Sequence, residues 1–320
     1  MEKKLISIVC CCYNEAGNIP ETYRQLKDIM SKLEKYDYEI IFEDNASEDG
    51  TQDILRDIAS KDKHVKVIIN GANFGASRSA ANVYCNASGD AVIAVVADLQ
   101  DPLEMIPEFI RYWEEGYDVV WGQKTSSKEN FIKRGCRNLF YGIIGFFSEK
   151  KEIPNVTGFG LQSKTVVQIA NILQKQDPEM HMRHIITGFN FKIKLIPYTQ
   201  KERVWGKSSY NMKRYFIFAI TSLCNTSTVP LHLMTASGFI IGLLSIIAAL
   251  GYFIYKLVNW YTFQVGVAPV VIGVFFFGGV ILWAVGMLGE YISIVLRRIT
   301  NSPLVVEKER INFCNSSKND

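Results

Sequence analysis

The chain has 320 residues, 48% of them hydrophobic and 21% charged, with a formal net charge of +3. That length allows one or two domains; the charged fraction excludes a bundle of many transmembrane helices, and the apolar fraction excludes a disordered chain. No Asp, Glu, Lys or Arg occurs from Tyr215 to Tyr255 or from Leu257 to Gly289. Each stretch exceeds the roughly 20 apolar residues that span a bilayer, so a soluble head with a two-helix anchor is the expected organisation.

The N-terminal Met1-Glu2-Lys3-Lys4 and the apolar run Leu5–Cys12 superficially resemble a secretory signal. The run stops at Tyr13-Asn14-Glu15 without a small-residue cleavage site and reads instead as a buried strand. Ile19, Tyr23, Leu26, Met30 and Leu33 then recur at helical spacing. Tyr38–Phe42 is a second strand, followed by a helix from about Thr51 to Ala59. Val65–Ile69, Ala91–Ala97 and Asp118–Trp121 are further strands, the Ala91 run being the most apolar and therefore central. This alternation predicts a parallel sheet covered on both faces.

Ligands of open α/β sheets bind at the carboxyl ends of the strands. There the sequence places Tyr13-Asn14-Glu15, Asp44-Asn45, Asn73 and Asp98-Leu99-Gln100-Asp101. Turn and cap roles suit Ser47 and Asp49 but explain the whole set poorly. Neither G-x-G-x-x-G nor G-x-x-x-x-G-K-[ST] follows the first strand, which argues against a dehydrogenase and an NTPase. Carboxylates at strand ends suggest base recognition and a divalent metal on a diphosphate.

The seven cysteines are Cys10, Cys11, Cys12, Cys85, Cys136, Cys224 and Cys314. An odd number without a C-x-x-C pair fits a reducing compartment and neither disulfides nor zinc. His181 and His184 read as two ordinary histidines on a surface helix. Lys201, Arg203, Lys207, Lys213 and Arg214 precede the first apolar stretch, and Arg297, Arg298, Lys308 and Arg310 follow the second. By the positive-inside bias, the head and both termini face the cytoplasm. The stretch from about Ser209 to Thr226 is amphipathic and suits the interface. Glu290, beside the second span, is a functional candidate by its position.

The segments Cys12-Tyr13-Asn14-Glu15, Asp44 to Thr51, Asn73-Phe74-Gly75 and Ala97-Asp98-Leu99-Gln100-Asp101-Pro102 resemble, in order, the motifs of family 2 glycosyltransferases. More narrowly, they are similar to the polyprenyl-phosphate hexosyltransferases, the branch of bactoprenol glucosyltransferases and dolichol-phosphate mannose synthase. Arg203-Val204-Trp205-Gly206-Lys207-Ser208-Ser209-Tyr210, Ser227 to Leu231 and Leu288 to Ile292 extend the likeness to about Pro303. The resemblance implies a GT-A-type, mostly parallel sheet flanked by helices, with a C-terminal two-helix transmembrane anchor. It implies donor contacts from Cys12, Tyr13, Asn14, Glu15, Asp44, Asn73 and Asp98. Asp98 would ligate Mg²⁺ or Mn²⁺, supported by Asp101. Arg203, Lys207 and Tyr210 would hold the acceptor phosphate with Arg134 and Arg137, and Asp98, Asp101, Arg203 and Lys207 would carry the transfer.

Two positions depart from the family's pattern. Val96-Ala97-Asp98 stands where D-x-D is common, and Gly158 stands where many relatives carry an Asp base. Mg²⁺ needs only one or two protein carboxylates when phosphate oxygens complete its shell. A phosphate acceptor is already anionic at neutral pH and needs no base.

The expected organisation is a catalytic domain at 1–207, a juxtamembrane segment at 208–230, two spans within 231–298 and a cytoplasmic tail at 299–320, polar and disordered from Glu307 to Asp320. The expected activity is inverting transfer of a hexose or N-acetylhexosamine from a UDP-sugar to undecaprenyl phosphate at the cytoplasmic face of the plasma (inner) membrane. Its partners are the bilayer, the UDP-sugar, the polyprenyl phosphate and, in a homo-oligomer, further copies of the chain; nucleic acid is not among them. Three rivals are a catalytically silent sugar-nucleotide-binding assembly subunit, a processive polysaccharide synthase and a membrane-anchored nucleotidyltransferase. The synthase would need a Q-x-x-R-W segment, which His181-Met182-Arg183-His184 does not supply.

Overall fold

The structure is a computed structural model that describes residues 3–126, 153, 155–177, 181–201, 229–258, 267–299 and 303–313. In chain order the elements are β1 (Lys4–Cys12), α1 (Ile19–Ser31), β2 (Tyr36–Asp44), α2 (Thr51–Lys61), β3 (Val65–Asn70), α3 (Ala76–Cys85) and β4 (Ala91–Val96). A short 3-10 turn at Leu103–Met105 leads into α4 (Ile106–Glu114), then β5 (Val119–Ser126), β6 (Val156–Ser163), α5 (Lys164–Gln176), α6 (Met182–Gly188) and β7 (Ile193–Thr199). Two long helices follow, α7 (Val229–Val258) and α8 (Val267–Ile299), and the last element is β8 (Glu307–Ile311).

One eight-stranded sheet has the order β7-β5-β6-β4-β1-β2-β3-β8. The pairs β1–β2, β1–β4, β2–β3 and β5–β7 are parallel. Strand β6 runs antiparallel between β4 and β5, and β8 lies antiparallel on β3. β1 and β4 are central, as the apolarity of their runs predicts. The apolar run of β1, interrupted only by the buried Ser7, serves two faces at once. Ile6, Ile8, Cys10 and Cys12 pack with Leu26, Phe42 and Phe109 on one side, and Val9 packs with Ile41, Val83 and Val167 on the other. A strand buried on both faces loses the alternation of a half-exposed one. Ile8 and Phe42 are wholly buried, each worth about 1.5–3 kcal/mol in apolar burial.

The chain proceeds from β1 to β2 and β3 on one side, then returns to place β4 on the other side of β1. This reversal opens a crevice at the carboxyl ends of β1 and β4. The register aligns Cys12 with Asp44 and Cys11 with Val96, so the segments after β1, β2 and β4 start from one edge.

The tail is a correction to the sequence reading. Residues 307–311 are not disordered; they form β8, and Gly71 N–H donates to Val306 C=O at 2.8 Å where the strand begins. Arg56 donates twice to Glu309 Oε2, at 3.0 and 2.8 Å, and Asn312 Nδ2 donates to the carbonyls of Ala59 and Val65 at 2.7 and 2.8 Å. A polar composition concealed the strand because its order comes from a partner edge 240 positions earlier in the chain.

The described residues fall into two compact units. The head holds those up to 201 together with those from 303 onward, and the second unit holds α7 and α8. The window Phe276–Ser293 of α8 is long and apolar enough, by length and composition, to cross a membrane. Leu243, Leu244, Ile247 and Leu250 of α7, and Ile281, Leu282, Val285 and Leu296 of α8, are all exposed.

Candidate active site

Two loops at the carboxyl edge are stapled to each other. Asn14 N–H donates to Ser47 Oγ at 2.8 Å, Glu15 N–H to Thr51 Oγ1 at 3.0 Å and Ala16 N–H to Asp49 Oδ2 at 3.0 Å. In return Glu48 N–H donates to Asn14 Oδ1 at 2.9 Å. The side chains of Ser47, Asp49 and Thr51 thus take up the backbone donors that follow β1. Asn14, Ala46 and Leu99, each just beyond a strand end, have φ of 56°, 61° and 56°. Such left-handed non-glycine residues cost about 1–3 kcal/mol each and cluster where a site fixes the backbone.

The predicted donor residues gather here with different exposures. Tyr13, Asn14 and Asn73 are exposed, Glu15 is half-buried, and Cys12 and Asp44 are buried. Asp44 Oδ2 accepts from Ser47 N–H at 2.9 Å and Gln52 Nε2 at 3.0 Å, closing the turn after β2. Cys12 Sγ points to the same place, 3.5 Å from the Glu43 carbonyl and 4.0 Å from Asp44 Oδ1. Burial and neighbouring negative charge push its thiol pKa well up, so it is no nucleophile. Asn45 joins the third loop to the second: its Nδ2 donates to Asn73 Oδ1 at 2.9 Å, and its Oδ1 accepts from Phe74 N–H at 2.9 Å.

Asp98 and Asp101 stand beyond β4, both buried. Asp98 Oδ1 accepts from Gln100 N–H at 3.2 Å. Asp101 Oδ1 accepts from the Tyr198 hydroxyl at 2.5 Å, and that hydroxyl lies 3.2 Å from Thr157 Oγ1. Burial raises the Asp101 pKa and the charge of Asp98 adds to the rise, while the Tyr198 hydrogen bond and the Lys124 charge oppose it. Burial, together with the Asp101 carboxylate, pushes the Tyr198 phenol up as well. Two carboxylates that feel each other at the mouth of an α/β crevice fit a hard divalent cation whose remaining ligands are phosphate oxygens and water. Among the described residues there is no cluster of three or more His, Cys, Asp or Glu side chains that would enclose a metal. Val96, at the first place of the D-x-D pattern, is 41% exposed on the strand's last position.

Gly158 and Gly160 of β6 explain the second departure. Gly158 has φ of +97°, which L side chains rarely adopt, although a Cβ there would meet nothing within 4 Å. Gly160 has φ of +153°, and a Cβ would fall 2.2 Å from the Val120 carbonyl oxygen. At Gly160 β6 approaches β5 closely, and at Gly158 the left-handed φ, not lack of space, disfavours a side chain.

Arg134, Arg137, Arg203, Lys207 and Tyr210 lie outside the described residues. The sequence reading missed Tyr198, which bonds Asp101, Thr157, which lies against the Tyr198 hydroxyl, and Lys124, whose charge acts on Asp101; they come from three other strands and share no spacing rule with it. His181 caps α6 and its ring sits 5.9 Å from that of His184, as in an ordinary aromatic contact.

The crevice and its acidic rim define the head of a GT-A-like glycosyltransferase. The fold resembles that of the mannosyltransferase PcManGT from Pyrobaculum calidifontis, solved with GDP-Man and Mn²⁺, at a TM-score of 0.50 and 13% identity over 94% of this chain and 89% of that one. Residues 7–168 match the family described as Glycosyl transferase family 2. The chain belongs to that family and is a glycosyltransferase. It is 30% identical over 305 residues to the SfII prophage-derived bactoprenol glucosyl transferase of Shigella flexneri, covering 95% of this chain and 97% of that one. It is 31% identical over 300 residues to the glycosyltransferase sll0501 of Synechocystis sp., covering 93% of each.

Proposed function

We propose that the protein transfers a hexose or N-acetylhexosamine from a UDP-sugar to a polyprenyl phosphate, with inversion, at the cytoplasmic face of the plasma membrane. The observation that carries the reading is the Asp98–Asp101 pair at the β1/β4 crevice, beside the stapled loops of the nucleotide side. The bactoprenol glucosyl transferases that match nearly the whole chain support the acceptor. In the transfer, an oxygen of the lipid phosphate attacks the anomeric carbon, the bond from that carbon to the diphosphate breaks, and the nucleoside diphosphate leaves. Asp98, supported by Asp101, would hold Mg²⁺ or Mn²⁺, which supplies positive charge to the leaving diphosphate. Tyr198 holds Asp101 in place, and the stapled loops give the nucleoside a rigid floor. Arg203 and Lys207, with Tyr210, Arg134 and Arg137, would gather the acceptor phosphate and offset its repulsion from the donor. An attacking group that is already ionised needs no base at position 158.

Membrane anchoring by α7 and α8 is part of the proposal. In chain order α7 and α8 lie between β7 and β8, both strands of one sheet. A segment that starts and ends on one face must cross an even number of times, and spanning by both α7 and α8 meets that condition. Helices of 30 and 33 residues, at 1.5 Å per residue, exceed the ~30 Å hydrocarbon core.

The test incubates membranes containing the full chain with labelled nucleotide sugars and polyprenyl phosphate. Label should enter the lipid extract with a UDP-sugar and a divalent cation, and vanish in Asp98→Asn. Binding of the sugar nucleotide without any lipid product, across UDP- and GDP-sugars, would replace this reading with a silent assembly subunit. Undiminished turnover after exhaustive chelation would remove the metal from it.

A further inference from the structure

Behind the donor loops, on the α3 side of the sheet, lies a chain of buried polar groups that the transfer itself does not use. Glu43 of β2 is fully buried, and Asn70, Ser79 and Asn82 around it are nearly so. Asn70 Nδ2 donates to Glu43 Oε1 at 2.9 Å, and Asn82 Nδ2 donates to Glu43 Oε2 at 3.1 Å. Asn82 Nδ2 also donates to Glu307 Oε1 of β8 at 3.2 Å, and Arg310 of the same strand donates to that oxygen at 2.7 Å. On the other side, Asn70 Nδ2 reaches Asn45 Oδ1 at 3.5 Å, and Asn45 fixes Asn73 and Phe74. The order is therefore Arg310, Glu307, Asn82, Glu43, Asn70, Asn45, Asn73, from the C-terminal strand to the donor loop.

Core segments of this size are ordinarily filled with apolar side chains, because a buried polar group is costly unless it is hydrogen-bonded. A connected buried network specifies one arrangement of the elements it joins. The two elements here are β8, which the chain forms only after α8, and the loop at Asn73-Phe74-Gly75. We infer that Glu307, Asn82, Glu43 and Asn70 are positioning residues that couple docking of the C-terminal strand to the shape of the donor-binding loop, so that β8 is a component of the nucleotide-sugar site. This rests on the donor reading of that loop, and it adds a requirement for the strand that follows the helix pair.

The test uses the full chain in detergent, with UDP-sugar KM, acceptor KM and kcat measured separately. Asn70→Ala cuts the relay while keeping the backbone that pairs with β8, and Glu307→Ala cuts it at the strand. Each should raise the donor KM about fivefold, the equivalent of one ordinary hydrogen bond, with acceptor KM and kcat within about twofold. Glu307→Gln, which keeps an accepting oxygen for Asn82, should restore the donor KM. Lys27→Ala, which breaks the 2.8 Å pair with Asp62 ahead of β3 and outside the relay, should lower stability and leave donor KM unchanged. Hydrogen exchange at Gly71, whose amide bonds Val306, should stay slow in Asn70→Ala. A donor KM unchanged in Asn70→Ala, or a loss of kcat that tracks stability as in Lys27→Ala, overturns the coupling while leaving the transferase reading intact. A wild-type chain that neither binds nor turns over any nucleotide sugar takes down both.

Discussion

Glu43→Gln should make the stability of the head less dependent on pH, and the size of the change follows from the burial of one carboxyl. Burial lifts the Glu43 pKa from 4.5 to about 8; hydrogen bonds from Asn70, Asn82 and Ser79 pull it down, and the charge of Glu307 pushes it further up. Arg310, Cys11 and Cys85 also feel its charge. Between those two pKa values the unfolded chain has lost the proton and the folded head keeps it. The folded state then binds more protons, so stability is greatest below the unfolded value and falls as pH rises toward 8. At about 1.4 kcal/mol per pH unit the loss is roughly 2–3 kcal/mol between pH 5.5 and 7.5. Glutamine has nearly the shape of the neutral acid and no proton to lose. Its Nε2 needs an acceptor, as the neutral acid's O–H does, and Asn70 Oδ1, buried with no hydrogen-bond partner among the described residues, supplies one when the amide turns over. The stability difference, Glu43→Gln minus wild type, should therefore grow by about 2–3 kcal/mol over that range. Urea unfolding of both full chains in detergent at three pH values, followed by tryptophan fluorescence, measures it, and subtraction removes what the two chains share. A difference that stays flat across the range refutes the linkage.

Asp98→Asn should reduce transfer at least about a thousandfold with the unfolding midpoint nearly unchanged, because charge stabilisation at the leaving group is lost; a variant within tenfold of wild type removes Asp98 from the reaction. Tyr198→Phe keeps the ring against Phe159, at 5.9 Å between centroids, and removes the hydroxyl from Asp101. It should lower kcat/KM about tenfold and cost only about 1 kcal/mol of stability, as separate kinetic and unfolding measurements would establish. Gly160→Ala forces a methyl against the Val120 carbonyl and the Trp121 ring and should destabilise the head by about 3 kcal/mol or more; soluble, wild-type-like unfolding would contradict the close approach. Arg203→Ala should raise the lipid-phosphate KM more than the UDP-sugar KM, and the reverse order would move Arg203 to the donor side.

The sequence by itself determined the first half of the head. The runs that became β1, β2, β3 and β4 are short and apolar, and helical spacing separates the first three, so hydrophobic burial alone identifies them, whereas the helix Ala76–Cys85 before β4 went unread. The sites after those strands were legible for the same reason: once the strands are parallel, their carboxyl ends share one edge, and Asp44, Asn73 and Asp98 must lie along it. The tertiary structure decided what depends on distant partners. Tyr198 bonds Asp101, with Thr157 behind its hydroxyl and the Lys124 charge nearby, only because β5, β6 and β7 add to the sheet beyond β4. Glu307 and Arg310 look like a soluble tail until β3 offers them an open edge, since a strand's backbone hydrogen bonds are satisfied by its neighbour and not by its own side chains.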